Sequence, residues 1–398
     1  EVRLIWLSRH GLLTKLVWVV LSLLERNALV LSGGGARAAY QVGCLRQIAR
    51  EIPEFRPKII TGVSAGAINA VYLASYQGNW SSAVDSLIET WLQLETRKVY
   101  HTDLRRTLQR IFLVMGRFLT GGHLDANNLR GMVDNQPLED FLKNVLEHKS
   151  LVLQGIDENI QSQLLDAIAI IGTEYSSGHS VAWVQGAGKN IWNRSQIKAT
   201  ATRLSIKHVM ASSALPFFFP AVRVDDVWFG DGGIRLNAPL SPAMHLGANK
   251  ILAVSPRVMP NFESAKIAEQ YPSPGQIAGV LLNSIFLDLL DYDALQMNRI
   301  NRLLDMGNQT EADEFQRVEV MVLRPQKDLG KLALEHELTL PKLFRYLERG
   351  LAGKDSRSAD ALSMVIFEKD YIELLIRLGE EDTAERMAEI QEFFTRSN

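Results

Sequence analysis

Residues 59–69 have the sequence Ile-Ile-Thr-Gly-Val-Ser-Ala-Gly-Ala-Ile-Asn, and this stretch decides the fold predicted for the chain. A short apolar strand leads to a turn with Ser64 at its tip, followed by small residues typical of a helix start. Gly62 and Gly66 flank the serine as in the Gly-x-Ser-x-Gly nucleophile elbow, where strand and helix approach closely. We therefore expect Ser64 to be exposed at a helix N-terminus, where partial positive charge favours an oxyanion.

A second glycine-rich turn precedes the elbow. The apolar run 28–31 predicts a buried strand, and residues 33–37, Gly-Gly-Gly-Ala-Arg, separate it from apolar residues at helical spacing between 42 and 52. Glycines between a strand and a helix leave backbone N–H groups pointing into open space, which favours an anion. A nucleotide phosphate is the weaker interpretation, because the Gly-x-x-x-x-Gly-Lys-Ser/Thr pattern is absent and Gly-x-Gly-x-x-Gly fails at Ala38.

The third signal is an aspartate flanked by glycines. Residues 230–233, Gly-Asp-Gly-Gly, follow a predicted hairpin formed by 222–224 and 227–229. The carboxyl ends of neighbouring parallel strands share one crevice, so we expect both glycine turns to adjoin there and Asp231 to reach them. Asp231 is then the candidate base for Ser64 if burial raises its proton affinity, since an ordinary Asp has a pKa of about 3.9. An aspartate that only forms a turn is the alternative.

Histidine is not predicted to complete a catalytic triad. None of the eight histidines lies between glycines or at the end of a predicted strand. A serine hydroxyl is a poor nucleophile without a base, so the sequence favours a Ser–Asp pair over a Ser-His-Asp triad.

The composition excludes several classes of protein. Of 398 residues, 46% are hydrophobic and 22% charged, which is typical of a globular protein with a substantial core. The 43 basic and 45 acidic side chains give a net charge of −2 and no electrostatic basis for binding nucleic acid. A single cysteine, Cys44, excludes an intramolecular disulfide and a thiolate metal cluster and fits a reducing compartment. We expect no metal, no cofactor and a cytoplasmic location.

The sequence predicts three parts. Residues 1–27 are an apolar helical segment whose core, 16–24, is too short to span a bilayer. It packs on the domain or a partner subunit, or it lies in a membrane interface. Residues 28–330 form an α/β domain with a mostly parallel central sheet flanked by helices, in which 80–150 is a helical excursion suited to a lid. Residues 331–398 form a helical extension.

Two amphipathic helices are predicted within that extension. The first covers residues 358–377, and the second ends at Phe394. Gly379 and the acidic run 380–382 are expected to separate them, with glycine as the residue that interrupts the helix. Completion of the core and a homodimer contact are the two roles left open.

Residues 214–220, Ala-Leu-Pro-Phe-Phe-Phe-Pro, carry three phenylalanines between prolines. Prolines exclude a central strand. The segment is interpreted as a core-facing loop or as the wall of an apolar groove of acyl-chain size, and the two interpretations overlap.

Together, the glycine motifs resemble three signatures of the patatin-like phospholipase family: an oxyanion loop, a nucleophile elbow and an Asp-Gly-Gly/Ala dyad motif. The residues that match are Gly33, Gly34, Gly35 and Arg37 in the loop, Gly62, Ser64 and Gly66 in the elbow, and Asp231, Gly232 and Gly233 in the dyad motif. Their order and rough separation also match, over about residues 28–255.

The resemblance implies an α/β sheet sandwiched by helices and a metal-free Ser–Asp dyad that hydrolyses lipid acyl esters. Ser64 would be the nucleophile and Asp231 the base. The N–H groups of Gly34 and Gly35 would form the oxyanion hole, with Arg37 holding the loop. The implied substrate is a phospholipid or lysophospholipid at a membrane surface, so we also expect peripheral membrane association.

Two alternatives remain open at this point. An acyltransferase or a thioesterase would use the same dyad with a different acyl acceptor or donor. A non-catalytic protein that binds lipid or membrane would instead use the apolar N-terminal helix and the charged C-terminal helices.

Overall fold

The apolar runs of the sequence form the strands of one sheet. In the computed structural model, the described residues are 26–101, 131–147, 152–186, 191–194, 196–258, 289–306, 316–335 and 363–396, with positions 277, 280, 281 and 284. The strands in them are β1 (Asn27–Leu31), β2 (Ile59–Val63), β3 (Ala167–Glu174), β4 (Ser180–Gly186), β5 (Ile197–Ala201), β6 (Val222–Val224), β7 (Val227–Asp231), β8 (Lys250–Val254) and β9 (Glu319–Leu323).

The sheet is mostly parallel, as predicted. Its order is β5-β4-β3-β2-β1-β8-β9, and β7 joins the end of β3 and carries β6. Neighbours are parallel except for the pairs β3–β4, β3–β7 and β6–β7. The two hairpins predicted from the sequence, β3–β4 and β6–β7, are thereby confirmed. All five residues of β1 and of β2 are buried, because these central strands are covered on both faces.

Helices cover both faces of the sheet. They are α1 (Ala39–Glu51), α2 (Ala65–Ser75), α3 (Trp80–Leu92), α4 (Thr96–Val99), α5 (Gln136–Glu147), α6 (Val152–Gln161), α7 (Ile206–Ser212), α8 (Ser241–His245), α9 (Leu289–Met306), α10 (Leu329–Glu335), α11 (Lys369–Glu385) and α12 (Met387–Thr395). Alternate side chains of a strand point to opposite faces. In β1, Leu29 and Leu31 pack with α1, α2, α3 and α11, whereas Ala28 and Val30 pack with α8 and α9.

The C-terminal helices differ from the sequence prediction. The predicted break at Gly379 is wrong, because α11 continues through it to Glu385. A Cβ atom at Gly379 would lie 2.2 Å from the carbonyl oxygen of Tyr40, and one at Gly43 would lie 1.9 Å from that of Ile376. The glycine therefore permits a close crossing of α11 over α1 and does not interrupt the helix. The predicted start of the first helix is also wrong in part, since residues 366–368 are not helical and α11 begins at Lys369.

Several predicted features lie outside the described residues. These are almost all of the N-terminal segment 1–27, the central part of the excursion 80–150 and residues 336–362 of the extension. The three-part division, the lid and the homodimer therefore stay predictions. Among the helices that the structure does describe, none combines the length and apolarity needed to cross a bilayer.

Candidate active site

The Ser64 elbow joins β2 to α2. Ser64 has φ 57° and ψ −131°, a conformation that a non-glycine residue rarely adopts and that costs about 1–3 kcal/mol. A Cβ atom at Gly62 would lie 2.5 Å from the carbonyl oxygen of Gly66, and one at Gly66 would lie 2.2 Å from that of Leu31. Both positions require glycine, and close packing of strand against helix holds the serine in its strained turn.

Strand register brings Asp231 beside the elbow. Val63 pairs with Ile171 in the ladder of β2 and β3, and the next residue of β3, Gly172, pairs with Asp231 in the ladder of β3 and β7. The Ser64 hydroxyl donates a hydrogen bond to Asp231 Oδ2 at 2.6 Å. A serine oxygen and a carboxylate thus lie at the distance required for direct proton transfer.

Hydrogen bonds fix the Asp231 carboxylate. The N–H of Gly233 donates to Oδ1 at 2.9 Å, which leaves Oδ2 directed at the serine. The Thr173 hydroxyl donates to the backbone carbonyl of Asp231 at 2.8 Å. A Cβ atom at Gly232 would lie 2.2 Å from the carbonyl oxygen of Ile171. The two glycines after the aspartate therefore serve its placement, one through its N–H and one through its missing side chain.

Burial changes the proton affinity of Asp231. Its side chain is 0% exposed, and this loss of solvation raises the pKa from 3.8 to about 7, although the hydrogen bonds from Ser64 and Gly233 act in the opposite direction. The carboxylate is therefore a far stronger base than an ordinary aspartate. A raised pKa is the condition under which the sequence predicted Asp231 as the base for Ser64.

The glycine loop after β1 lies directly against the serine. A Cβ atom at Gly33 would lie 3.0 Å from Ser64 Cβ. Gly34 and Gly35 have φ values of +150° and +57°, and no acceptor within the described residues takes a hydrogen bond from their N–H groups. The N–H of Ser64 itself is occupied, because it donates to Ser212 Oγ at 3.1 Å. The loop N–H groups are therefore the candidate donors to an oxyanion formed at Ser64.

Arg37 lies beneath this loop. Its side chain is buried, its Nε donates to Ser363 Oγ at 2.6 Å, and its N–H donates to the carbonyl oxygen of Gly34 at 3.2 Å. The Arg37 side chain is thus held in the interior of the protein, and its backbone N–H closes the turn that begins at Gly34.

An apolar cavity opens onto Ser64, Gly34 and Gly35. Its walls come from α2, α3, α5, the loop 214–220 and the segment 363–367. Ser64 is 8% exposed, so the expectation of an exposed serine is wrong for bulk solvent: the serine faces this cavity. Of the three phenylalanines, Phe219 lines the cavity and Phe217 is 88% exposed. Phe218 and Phe219 also pack against the hydrophobic core, so the loop faces the core and forms a wall of the cavity, as the two overlapping sequence interpretations proposed.

The patatin-like phospholipase family model matches residues 29–244, which contain the elbow, the glycine loop and the aspartate motif. The chain belongs to the patatin-like phospholipase family. Membership supports lipid acyl hydrolysis as the chemistry of this patatin-like chain. No curated protein sequence matches it significantly.

Solved structures similar to this patatin-like chain are distant. VipD from Legionella pneumophila is 11% identical over 92% of this chain and 67% of its own, with a TM-score of 0.35. Human GIVD cytosolic phospholipase A2 is 11% identical over 93% of this chain and 60% of its own, with a TM-score of 0.44. The type III effector ExoU of Pseudomonas aeruginosa is 15% identical over 88% of this chain and 53% of its own, with a TM-score of 0.30. The chain spans about three fifths of the human phospholipase, and similarity this low carries no conclusion on substrate.

Sequence reasoning missed three hydroxyl residues at the site of the patatin-like chain. Ser212 bridges the elbow to β3, since it accepts from the N–H of Ser64 and donates to the carbonyl of Ile171 at 2.6 Å. Thr173 and Ser363 contact the aspartate and the arginine, as described above. No local pattern marks these residues, because each acts on a partner far away in the sequence. The predicted absence of metal and cofactor stays a prediction.

Proposed function

We propose that this protein is a serine hydrolase of lipid acyl esters, with Ser64 as the nucleophile and Asp231 as the base. One observation supports it above all others: the 2.6 Å hydrogen bond from the Ser64 hydroxyl to a fully buried carboxylate whose pKa is raised to about 7. Such a pKa suits a group that must take and return a proton near neutral pH.

Acylation transfers the acyl group from the lipid to the enzyme. Asp231 takes the Ser64 proton as the serine oxygen forms a bond to the acyl carbon, and the carbonyl oxygen becomes an oxyanion. Collapse of this intermediate breaks the ester C–O bond, and Asp231 returns the proton to the departing alcohol. The N–H groups of Gly34 and Gly35 stabilise the oxyanion, and loss of one such donor typically lowers the rate by about 100- to 1000-fold.

Deacylation repeats the same proton movements with water. Asp231 takes a proton from a water molecule whose oxygen forms a bond to the acyl carbon. The bond between that carbon and the Ser64 oxygen then breaks, the serine recovers its proton from Asp231, and a fatty acid leaves. The same two residues therefore complete both halves of the reaction.

The cavity supports a lipid as the acyl donor. Helix α5 contributes apolar side chains to the wall, and α2 and α3 contribute Ile68, Leu87 and Trp91. The α5 residues are Leu138, Phe141, Leu142, Val145 and Leu146. Such a lining gives an acyl chain the burial that apolar groups favour, at about 25 cal/mol per Å². Phospholipids and lysophospholipids are the substrates we propose.

The rim of the cavity supports binding at a lipid surface. Phe217 is 88% exposed and has φ 65°, unfavourable for a bulky residue. Its carbonyl accepts from the N–H of Met132 at 2.9 Å, and that of Phe218 accepts from Val133 at 3.0 Å. These bonds hold the loop so that one aromatic ring points outward beside the cavity. We propose that this ring enters the bilayer interface, as aromatic anchors of peripheral proteins do.

Release of fatty acid tests the proposed function. Phospholipid, lysophospholipid and p-nitrophenyl butyrate are offered to wild type, to Ser64→Ala, to Asp231→Asn and to a matched control, Ser180→Ala, whose buried serine lies on β4. We expect the first two variants to lose at least about 1000-fold in kcat/KM and the control to match wild type. Equal activity of wild type and Ser64→Ala would overturn the proposal. Transfer of the acyl group to added glycerol in preference to water would identify an acyltransferase, and preference for an acyl thioester would identify a thioesterase.

A further inference from the structure

Residues 363–385, which we call the C-terminal clamp, lie beyond the stretch 29–244 that the family model matches. We infer that the C-terminal clamp positions the glycine loop for oxyanion stabilisation, and that Ser363 is a positioning residue that acts through Arg37. This inference rests on the proposed function, since it assigns a part in that reaction to a segment outside the family motifs.

Direct backbone contact is the first observation. Gly35 has φ +57°, and a Cβ atom there would lie 2.0 Å from the carbonyl oxygen of Met364 and 2.9 Å from its carbonyl carbon. On the other side of the loop, a Cβ atom at Gly34 would lie 2.7 Å from Pro256 Cγ. Pro256 therefore lies against Gly34 and the clamp backbone lies against Gly35, so the clamp is one of the two neighbours that border the loop.

The second observation is a buried polar contact. Arg37 Nε donates to Ser363 Oγ at 2.6 Å, and the two residues are 3% and 0% exposed. Arg37 also donates from its backbone to Gly34. Because Arg37 belongs to the glycine loop and Ser363 to the clamp, this buried hydrogen bond joins the two segments.

Contacts with α4 and the residue after it fix the start of the clamp. The Tyr100 hydroxyl donates to the carbonyl of Val365 at 2.7 Å. Thr96 Oγ1 accepts from the N–H of Phe367 at 3.3 Å and donates to Glu368 Oε1 at 2.9 Å. The hydroxyl of this single, 1% exposed threonine thus bonds to two consecutive residues of the clamp.

Helix α11 fixes the rest of the clamp. It crosses α1 where Gly43 and Gly379 bring the two backbones together, and the Tyr40 hydroxyl donates to Asp382 Oδ2 at 3.0 Å inside this interface. The loop runs through a short 3-10 turn, Gly35–Ala38, directly into α1. The clamp therefore contacts both the loop and the helix that follows it. The same segment reaches the chemistry, since Met364, Val365 and Phe367 line the cavity that opens on Ser64.

The expected effect is on the transition state and not on substrate binding. A misplaced oxyanion donor weakens only the interaction made with the tetrahedral intermediate, so kcat falls while KM changes little. Removal of the Ser363 hydroxyl breaks the side-chain contact between the clamp and Arg37, and a misplacement of a catalytic group by about 1 Å typically costs about 100-fold. We therefore expect a fall in kcat of about 10- to 100-fold for Ser363→Ala.

The test compares Ser363→Ala, Thr96→Val and Thr96→Ser with wild type and the Ser180→Ala control. Thr96→Val keeps the shape of threonine but removes its hydroxyl, whereas Thr96→Ser keeps the hydroxyl and is expected to restore most of the activity. Each enzyme is assayed for kcat and KM with p-nitrophenyl butyrate and for Ki with an alkyl trifluoromethyl ketone, whose adduct with a serine carries an oxyanion. We expect Ki to rise by the same factor as kcat/KM falls, while binding of the free fatty acid changes by less than about twofold.

Two results would overturn the inference. The first is a kcat in both Ser363→Ala and Thr96→Val that equals that of wild type. The second is a fall in kcat/KM that comes from changes in KM and in fatty-acid affinity while the Ki of the trifluoromethyl ketone stays the same. If Ser363→Ala does not fold, as judged by thermal unfolding, the two Thr96 variants decide the question alone. A wild type that hydrolyses no ester and binds no trifluoromethyl ketone would refute the proposed function instead, so the two failures are distinguishable.

Discussion

The Asp231→Asn variant is expected to become more stable relative to wild type as the pH rises. The folded protein raises the pKa of this carboxyl from 3.8 to about 7, chiefly because burial penalises its charge. The folded state therefore binds the proton more tightly than the unfolded state does between these values. The contribution of this group to stability is greatest below about pH 4 and declines as the pH rises through about 7.

The magnitude follows from the two pKa values. The stronger ionisation of the unfolded state, less that of the folded state, destabilises the folded wild type by about 1.7 kcal/mol at pH 5 and by about 4 kcal/mol at pH 8, at 1.36 kcal/mol per pKa unit. Asparagine has no such titration. The difference in free energy of unfolding between Asp231→Asn and wild type should therefore grow by about 2–3 kcal/mol from pH 5 to pH 8.

Urea denaturation at both pH values measures this difference. Asp293, whose pKa burial raises to about 6, titrates in the same range but is present in both proteins, so its effect cancels. A difference between variant and wild type that is the same at pH 5 and pH 8 would refute the assignment of a raised pKa to Asp231. If Asp231→Asn is more stable than wild type at pH 8 but inactive, the buried carboxylate lowers stability in exchange for catalytic activity.

Three further predictions concern activity. The kcat/KM of wild type should be low at pH 5 and rise to a plateau with an apparent pKa of about 7, because Asp231 must lose its proton before it can accept one from serine. A kcat/KM that is constant from pH 5 to 8 would contradict this prediction. Phe217→Ser should weaken sedimentation with phosphatidylcholine vesicles and hydrolysis of vesicle lipid, while hydrolysis of p-nitrophenyl butyrate is unchanged. In the control Tyr292→Ser, which alters an exposed residue of α9, sedimentation and hydrolysis of vesicle lipid should both match wild type. Leu142→Trp should fill part of the cavity and lower kcat/KM for palmitoyl esters by at least about 10-fold relative to acetyl esters, and an unchanged chain-length profile would argue against acyl binding there.

Local turn chemistry explains why the centre of the fold could be predicted from the sequence. Buried parallel strands require continuous apolar runs, and a tight strand-to-helix turn requires glycine on both sides of its tip. Gly62 and Gly66 meet that requirement within five residues, so the pattern is visible without the structure. The parallel order of β1 and β2 then follows from the helix between them.

Other features depend on contacts that leave no local pattern. Gly379 has the sequence character of a helix break, yet it lies within α11, because the carbonyl of Tyr40 occupies the space where a side chain would be. Ser212 and Ser363 act through single hydroxyl groups on partners 148 and 326 residues away in the sequence. Only the folded chain shows such pairs, since any serine could make them.

Labelling with a fluorophosphonate tests the central claim most directly, because it requires an activated serine but no knowledge of the substrate. Wild type, Ser64→Ala, Asp231→Asn and Ser180→Ala are treated, and the adduct is mapped by mass spectrometry. The Ser–Asp dyad predicts one adduct on Ser64 in wild type and in Ser180→Ala, none at that position in Ser64→Ala, and labelling slower by at least about 100-fold in Asp231→Asn. Labelling of another residue in wild type, or equal rates in wild type and Asp231→Asn, would contradict it.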